Sequence, residues 1–259
     1  MSIRKSPHPD SGLILREAAR RVEPWSRRSF LRQALGLGTL TMLTGCDVLD
    51  GQSAEHMLST VSDFNDRVQA WLFRPQRLAP EYPESMITRP FPFNSFYTPN
   101  SVDKAPRIDP ANWALNVSGK VGSTEDWTLE RLGKLPQFTQ ITRHVCIEGW
   151  SAIGKFTGIR FSDFLRAIGA DPSAKYVTFR CDDNYVTSID MASALHPQTQ
   201  LTLGFDGGVL PREHGFPLKL RIPTKLGFKN PKHIGEIEIG DDFAGGFWET
   251  YGYNWFSGL

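Results

Sequence analysis

The chain of 259 residues has only three cysteines, Cys46, Cys146 and Cys181, too few for a disulfide scaffold. None sits in a Cys-x-x-Cys or Cys-x-His spacing, so nothing marks a zinc or iron–sulfur site. Neither charge is in excess. With 29 Lys and Arg against 28 Asp and Glu the net charge is +1, which excludes a nucleic-acid binder working by bulk charge. No apolar run approaches the roughly 20 residues of a membrane-spanning helix, and internal repeats and low-complexity tracts are absent. What is present is an ordinary globular balance. Apolar residues at 40% and charged ones at 22% exclude wholesale disorder, and the length can bury a real core in one large domain or two small ones. Aromatics at 12% with 23 Gly and 18 Pro point to strands and loops rather than a helical bundle.

The even charge hides an asymmetry. Residues 1–45 carry eight Lys and Arg against three acids, net +5, and the remaining residues are net −4. Within the basic end, Ser26-Arg27-Arg28-Ser29-Phe30-Leu31-Arg32 precedes an uncharged, mildly apolar stretch, 33–45. That stretch suits the h-region of a signal peptide, and the pattern resembles a twin-arginine export signal. It ends in Leu43-Thr44-Gly45-Cys46, which looks like a lipobox, so Cys46 is the expected lipidation site and mature N-terminus. Asp47 resembles an inner-membrane retention signal. The expectation is a periplasmic-side protein held to the inner membrane by acyl chains worth about 0.8 kcal/mol per buried methylene.

Three segments follow from this: a signal peptide 1–45, a tether and helix 46–85, and a main domain 86–259. Met57, Leu58, Val61, Phe64, Val68, Trp71 and Leu72 recur at spacings of three and four, which predicts an amphipathic helix with a core-facing stripe. An aromatic loop runs through 89–99. Short strands are predicted at 113–118, 140–145, 176–180, 201–205, 218–222 and 234–239, with helices at 128–134, 162–168 and 191–195. The C-terminal run Gly-Phe-Trp-Glu-Thr-Tyr-Gly-Tyr-Asn-Trp-Phe is too aromatic for a free tail. The expected class is α+β.

Cys146 ends an apolar strand and enters the turn Ile147-Glu148-Gly149-Trp150. Spacing alone leaves it as a buried small hydrophobe, half of a disulfide with Cys181, or a functional thiol. The surrounding motifs add to this. Cys146-Ile-Glu-Gly-Trp-Ser, Ala174-Lys-Tyr-Val-Thr-Phe, Leu195-His-Pro-Gln-Thr, Leu210-Pro-Arg-Glu-His-Gly-Phe-Pro-Leu-Lys-Leu and Gly227-Phe-Lys-Asn-Pro-Lys resemble, in order, the molybdenum domain of the sulfite oxidase superfamily, nearest its periplasmic methionine-sulfoxide-reductase branch. The resemblance covers about 91–259. It implies that fold, with mixed β-sheets and short helices, and one molybdenum–molybdopterin per chain ligated by the Cys146 thiolate. A metal held by dithiolene sulfur favours a further soft thiolate, and folded export suits a cofactor inserted in the cytoplasm.

The same resemblance implies the other contacts. Asn94 and Tyr97 match the reductase branch, while Thr98 stands where that branch has an acid. Cys181 replaces a Thr, so its backbone alone can serve. His214 matches the sulfite oxidases. Lys219 replaces an Arg and would neutralise the pterin phosphate as a point charge rather than a bidentate fork. Asn230, Pro231 and Lys232 match the phosphate loop. Glu148 is a candidate proton donor, or a structural acid, because reducing S=O to water takes two protons with two electrons. His144 is expected in the core or behind the ligands, and 182–185 as a β-turn or pocket wall.

Three functions remain open on sequence. The first is reduction of a small-molecule or protein-bound S-oxide or N-oxide, fed by a membrane b-type cytochrome or quinol-linked partner. The second is sulfite oxidation with electrons passed to a c-type cytochrome. The third is a non-catalytic lipoprotein binding module. Sulfite oxidases carry arginines close after the cysteine, whereas Glu148 would repel sulfite. The stretch after Gly204 is too short for their Ig-like dimerisation domain, so the expectation is a monomeric catalytic subunit.

Overall fold

The computed structural model describes residues 60–61, 64–69, 71–72, 77–94 and 102–259. The signal peptide 1–45, Cys46, Tyr97 and Thr98 lie outside the described residues. Among the described residues ten strands form two five-stranded sheets. The first has the order β2 (Trp127–Thr128), β1 (Ala114–Gly119), β10 (Ile234–Gly240), β5 (Tyr176–Cys181), β6 (Val186–Asp190). The second runs β3 (Gln137–Val145), β4 (Ser151–Arg160), β7 (Gln200–Phe205), β8 (Gly208–Val209), with β9 (Lys219–Arg221) also paired to β7. Every pairing is antiparallel except β1 with β10.

Three short helices join them: α1 (Leu129–Gly133), α2 (Phe161–Ala167) and α3 (Met191–Ala194). Two are capped as their sequences suggest. The Thr128 hydroxyl accepts from Arg131 N at 3.2 Å, and the Asp190 carboxylate accepts from Ser193 N at 2.8 Å. Phe161, Phe164, Leu165 and Ile168 recur at i, i+3, i+4 and i+7 and are buried, so α2 inserts one apolar face into the core. That core also holds Leu115, Phe179, Ile189, Leu220 and Ile237 from both sheets.

All six predicted strands and the helices predicted at 128–134, 162–168 and 191–195 are present within a few residues. The long strand β4, which lies between β3 and β7, is an addition. Its glycines suggest a break, yet a Cβ at Gly158 would lie 2.0 Å from Leu201 O, at the register shift beside Thr157. The glycine is there because β7 passes too close for any side chain. β6 was also unforeseen, because its buried Thr187 and Ser188 break the apolar pattern.

The expected core-facing helix is corrected. The described residues between 60 and 72 are helical, but Val61, Phe64, Trp71 and Leu72 are exposed, Trp71 at 81%. The opposite face carries Asp66, which is buried and accepts from Trp255 N and Phe256 N at 3.4 and 3.5 Å. The acid satisfies backbone donors of the C-terminal segment, and that contact turns the stripe outward. Among the described residues no helix is long and apolar enough to cross a membrane.

The C-terminal aromatic run is tied down, as its composition suggests. Buried Lys225 donates to Phe256 O at 2.6 Å, and buried Lys229 pairs with Glu249 and donates to Ser188 O. These two anchors bring Phe247 and Trp248 to the wall of the cavity described next.

Candidate active site

β3 ends at Val145, and Cys146 begins a tight turn closed by Cys146 N donating to Trp150 O at 2.9 Å before β4 starts. The half-buried thiol faces a cavity of about 340 Å³. Of the sequence-predicted residues, Asn94, Cys146, Glu148, His214, Lys219, Asn230, Pro231 and Lys232 all line it. They come from four separate stretches of chain, around 94, 146–148, 214–219 and 230–232. Cys181 does not line it: this residue ends β5 with its side chain in the hydrophobic core, where burial, then Asp183 and Asp182, push the thiol pKa up. Residues 182–185 satisfy both expectations, forming a turn whose Asp183, Asn184 and Tyr185 also face the cavity.

The electrostatics of this cavity are unusual for a protein interior. Lys219 is only 5% exposed and has no hydrogen bond or ion pair among the described residues. Burial, then the charges of Lys232 and Arg221, holds its ammonium pKa well below the ordinary value. Lys232 donates to Glu213 O at 2.8 Å and to Asn94 Oδ1 at 3.3 Å, and burial lowers its pKa to about 8. His214 is pushed down to about 3 by burial, Lys219 and Lys232, so its ring is neutral, packed edge-on against Phe91 at 5.4 Å. His144 is buried with its Nδ1 unpartnered among the described residues, and its pKa is lowered by burial and by Arg221.

Burying a cation without a partner costs several kcal/mol, and a bound anion is what offsets it. The cavity therefore fits an anionic group on the Lys219–Lys232 side and a soft metal on the thiol side. At Cys146 itself burial pushes the thiol pKa up, opposed by the backbone N–H groups of Glu148 and Ile147 and by Lys232. A metal would remove that proton outright.

Glu148 is exposed at the mouth, where Trp150 Nε1 donates to its Oε2 at 3.1 Å. It is thus in contact with water and cavity together, rather than a buried structural acid. Asn230 plays another part than expected. Its Oδ1 accepts from Ile222 N at 2.7 Å and Arg221 Nη1 at 3.0 Å, and its Nδ2 donates to Leu226 O at 3.1 Å. The amide holds the loop's shape and has little left for a ligand. Sequence reasoning missed Arg221 and the aromatic wall of Phe91, Phe93, Phe247 and Trp248.

Gly227 seats the loop on the cysteine strand, since a Cβ there would lie 2.8 Å from His144 Nε2 and 3.1 Å from Val145 O. Gly227→Ala is expected to destabilise the protein by about 1–3 kcal/mol, measured as a drop in the urea midpoint.

Comparison with known proteins agrees with this chemistry. Residues 102–248 match the family model described as the oxidoreductase molybdopterin binding domain. The chain belongs to that family. It is accordingly an oxidoreductase with a molybdenum–molybdopterin cofactor, and the mixed sheets with few short helices are its fold. The "Putative protein-methionine-sulfoxide reductase subunit YedZ1" of Azospira oryzae is 54% identical over 94% of this chain and 92% of its own length. The catalytic subunit MsrP of a protein-methionine-sulfoxide reductase from Burkholderia mallei is 30% identical over 62% of this chain and 55% of its own. The chain thus spans little more than half of that relative. Sulfane dehydrogenase SoxCD from Paracoccus pantotrophus superposes with a TM-score of 0.51 at 20% identity, over 54% of this chain and 41% of its own, a likeness of fold alone.

Lys232 and Lys225 have folded pKa values near 8, below the ordinary 10.5, because burial penalises their charge. In that interval the unfolded chain binds more protons than the folded one, so stability of the cofactor-free protein rises as pH climbs from about 8 to 10.5. It falls as pH drops through the folded values. Lys232→Met is expected to flatten this rise, as read from urea midpoints across that range.

Proposed function

We propose that this oxidoreductase reduces an S-oxide or N-oxide in the bacterial cell envelope. The observation that carries the reading is the pairing of Cys146 with Glu148 on a cavity wall where no arginine is found among the described residues. An anionic substrate such as sulfite would meet the Glu148 carboxylate, while a neutral sulfoxide would not. The names of the relatives, protein-methionine-sulfoxide reductases, support the same direction.

In this reading the thiolate of Cys146 ligates molybdenum. Lys219 and Lys232 neutralise the pterin phosphate, and His214 and Asn94 complete the wall. The cofactor, when bound, supplies two-electron redox chemistry at sulfur-bound molybdenum. The protein does the rest. Phe91, Trp150, Phe247 and Trp248 exclude water around the reacting oxygen and offer apolar surface to the substrate's carbon groups. Glu148 delivers protons from solvent to that oxygen, as the balance R₂SO + 2H⁺ + 2e⁻ → R₂S + H₂O requires. The electrons come from a membrane b-type cytochrome or quinol-linked partner. Residues 1–45 direct twin-arginine export, lipidated Cys46 anchors the protein on the periplasmic side of the inner membrane, and 46–85 link that anchor to the catalytic domain 86–259.

The test is oxidation of a reduced viologen dye by the purified holoenzyme with methionine sulfoxide, dimethyl sulfoxide or trimethylamine N-oxide, beside a sulfite-dependent cytochrome c reduction assay. Turnover with at least one oxide and none with sulfite is expected. Sulfite turnover alone overturns the reading.

A further inference from the structure

Arg221 is the largest fully buried side chain, and among the described residues it has no carboxylate partner. Its acceptors lie instead on the two segments that frame the cavity. Nη2 donates to Arg143 O at 2.6 Å and to Thr142 Oγ1 at 3.1 Å, both on β3 just before Cys146. Nη1 donates to Asn230 Oδ1 at 3.0 Å, two residues before Lys232. β9 pairs with β7 and β3 pairs with β4, so the guanidinium joins two strands that are not hydrogen-bonded neighbours. Phe156 on β4 lies beneath it, with the guanidinium carbon 5.0 Å from the ring centroid.

We propose that Arg221 is a positioning residue for the metal site: its fork sets the Cys146 end of β3 at a fixed distance from the 227–232 loop. A cofactor that is held by the Cys146 sulfur at one end and by Lys232 at the other needs that distance set before it binds. Three points favour this over a purely structural bond. An isolated buried cation is an expensive way to link two strands, and an apolar side chain of the same volume would pack β9 at lower cost. The planar fork reaches two acceptors in one geometry, which a lysine cannot reproduce. Asn230 relays the contact, because the Oδ1 that accepts from Arg221 also accepts from Ile222 N, and the same amide donates to Leu226 O. Burial lowers the guanidinium pKa only to about 9, so the group is charged at neutral pH.

The inference rests on the reading of Cys146 as the molybdenum ligand, and the experiment separates the two. Arg221→Met, Arg221→Lys and Cys146→Ser are purified as full-length chains from molybdenum-replete cells. Each is measured for molybdenum per chain, for the thiolate-to-metal absorption band and for the metal's midpoint potential, with circular dichroism as the check on folding. Both Arg221 variants are expected to fold, to carry several-fold less molybdenum than the parent, and to show a shifted band and midpoint in the metal that remains. Arg221→Lys, which keeps the charge and loses the fork, stays shifted, and it decides the matter if Arg221→Met does not fold. Parental metal content, band and midpoint in a folded Arg221 variant overturn the inference, even if its melting temperature falls. Cys146→Ser retaining molybdenum and the band overturns the ligand reading instead.

Discussion

Replacing Cys146 with serine is expected to reduce dye oxidation by every oxide substrate to background while leaving the fold in place. The local structure does not depend on the sulfur. The turn is closed by backbone groups, Cys146 N to Trp150 O and Gly149 N to Cys146 O, and the side chain is only half-buried against a cavity. Serine fits there without a clash. What it lacks is a soft, readily deprotonated donor, and a metal surrounded by sulfur binds a neutral hydroxyl weakly. An unchanged thermal midpoint of the cofactor-free protein, together with lost turnover, is the expected pair of results. Retained turnover would remove Cys146 from the chemistry.

Glu148→Gln is expected to lower kcat by about 10²–10⁴-fold with molybdenum content unchanged. The glutamine keeps the shape of the side chain and an oxygen to accept from Trp150 Nε1, so the hydrogen bond that holds the mouth survives. It cannot carry a proton. Because the carboxylate sits where solvent meets the cavity, its loss strands the substrate oxygen from a proton source while binding stays largely intact. The effect should therefore appear in kcat rather than KM. A kcat within a few-fold of the parent would reduce Glu148 to a structural acid.

The parts of this site that were legible in sequence are those carried by short local motifs. Cys146 and Glu148 lie two residues apart, and His214, Lys219 and Lys232 fall within two motifs that loops bring to one cavity. The fold class was legible too, since short apolar strands alternate with turn residues over most of the domain. What stayed hidden depends on neighbours in space. β4 contains Gly154 and Gly158, which look like breaks until β7 and the Phe156 and Phe91 rings are in place beside them. Arg221 looks like one more basic residue on a short strand, although its two-residue spacing from Lys219 put both on one face of β9. The helix stripe was misjudged for the converse reason. Its spacing shows that Val61, Phe64 and Trp71 share a face, but which face turns inward was decided by Asp66 and the backbone of Trp255 and Phe256. Asn230 kept its place and changed its task, because the amide is occupied by Arg221, Ile222 and Leu226.

The cavity also accounts for how a chain of near-zero net charge handles a multiply charged cofactor. The cofactor's charge is met by positive charge placed inside the site. Beside the thiol it is concentrated in Lys219 and Arg221, both buried, and in Lys232 on the cavity wall. Such an arrangement is costly in the empty protein and favourable in the loaded one, which couples cofactor binding to stability.

The central claim is that these residues form a molybdenum site with Cys146 as its protein ligand. The most direct measurement is elemental analysis of the parent and Cys146→Ser chains purified side by side from molybdenum-replete cells. About one molybdenum per parent chain and none in the variant is the predicted result; a parent without metal, or a variant that retains it, would contradict the claim.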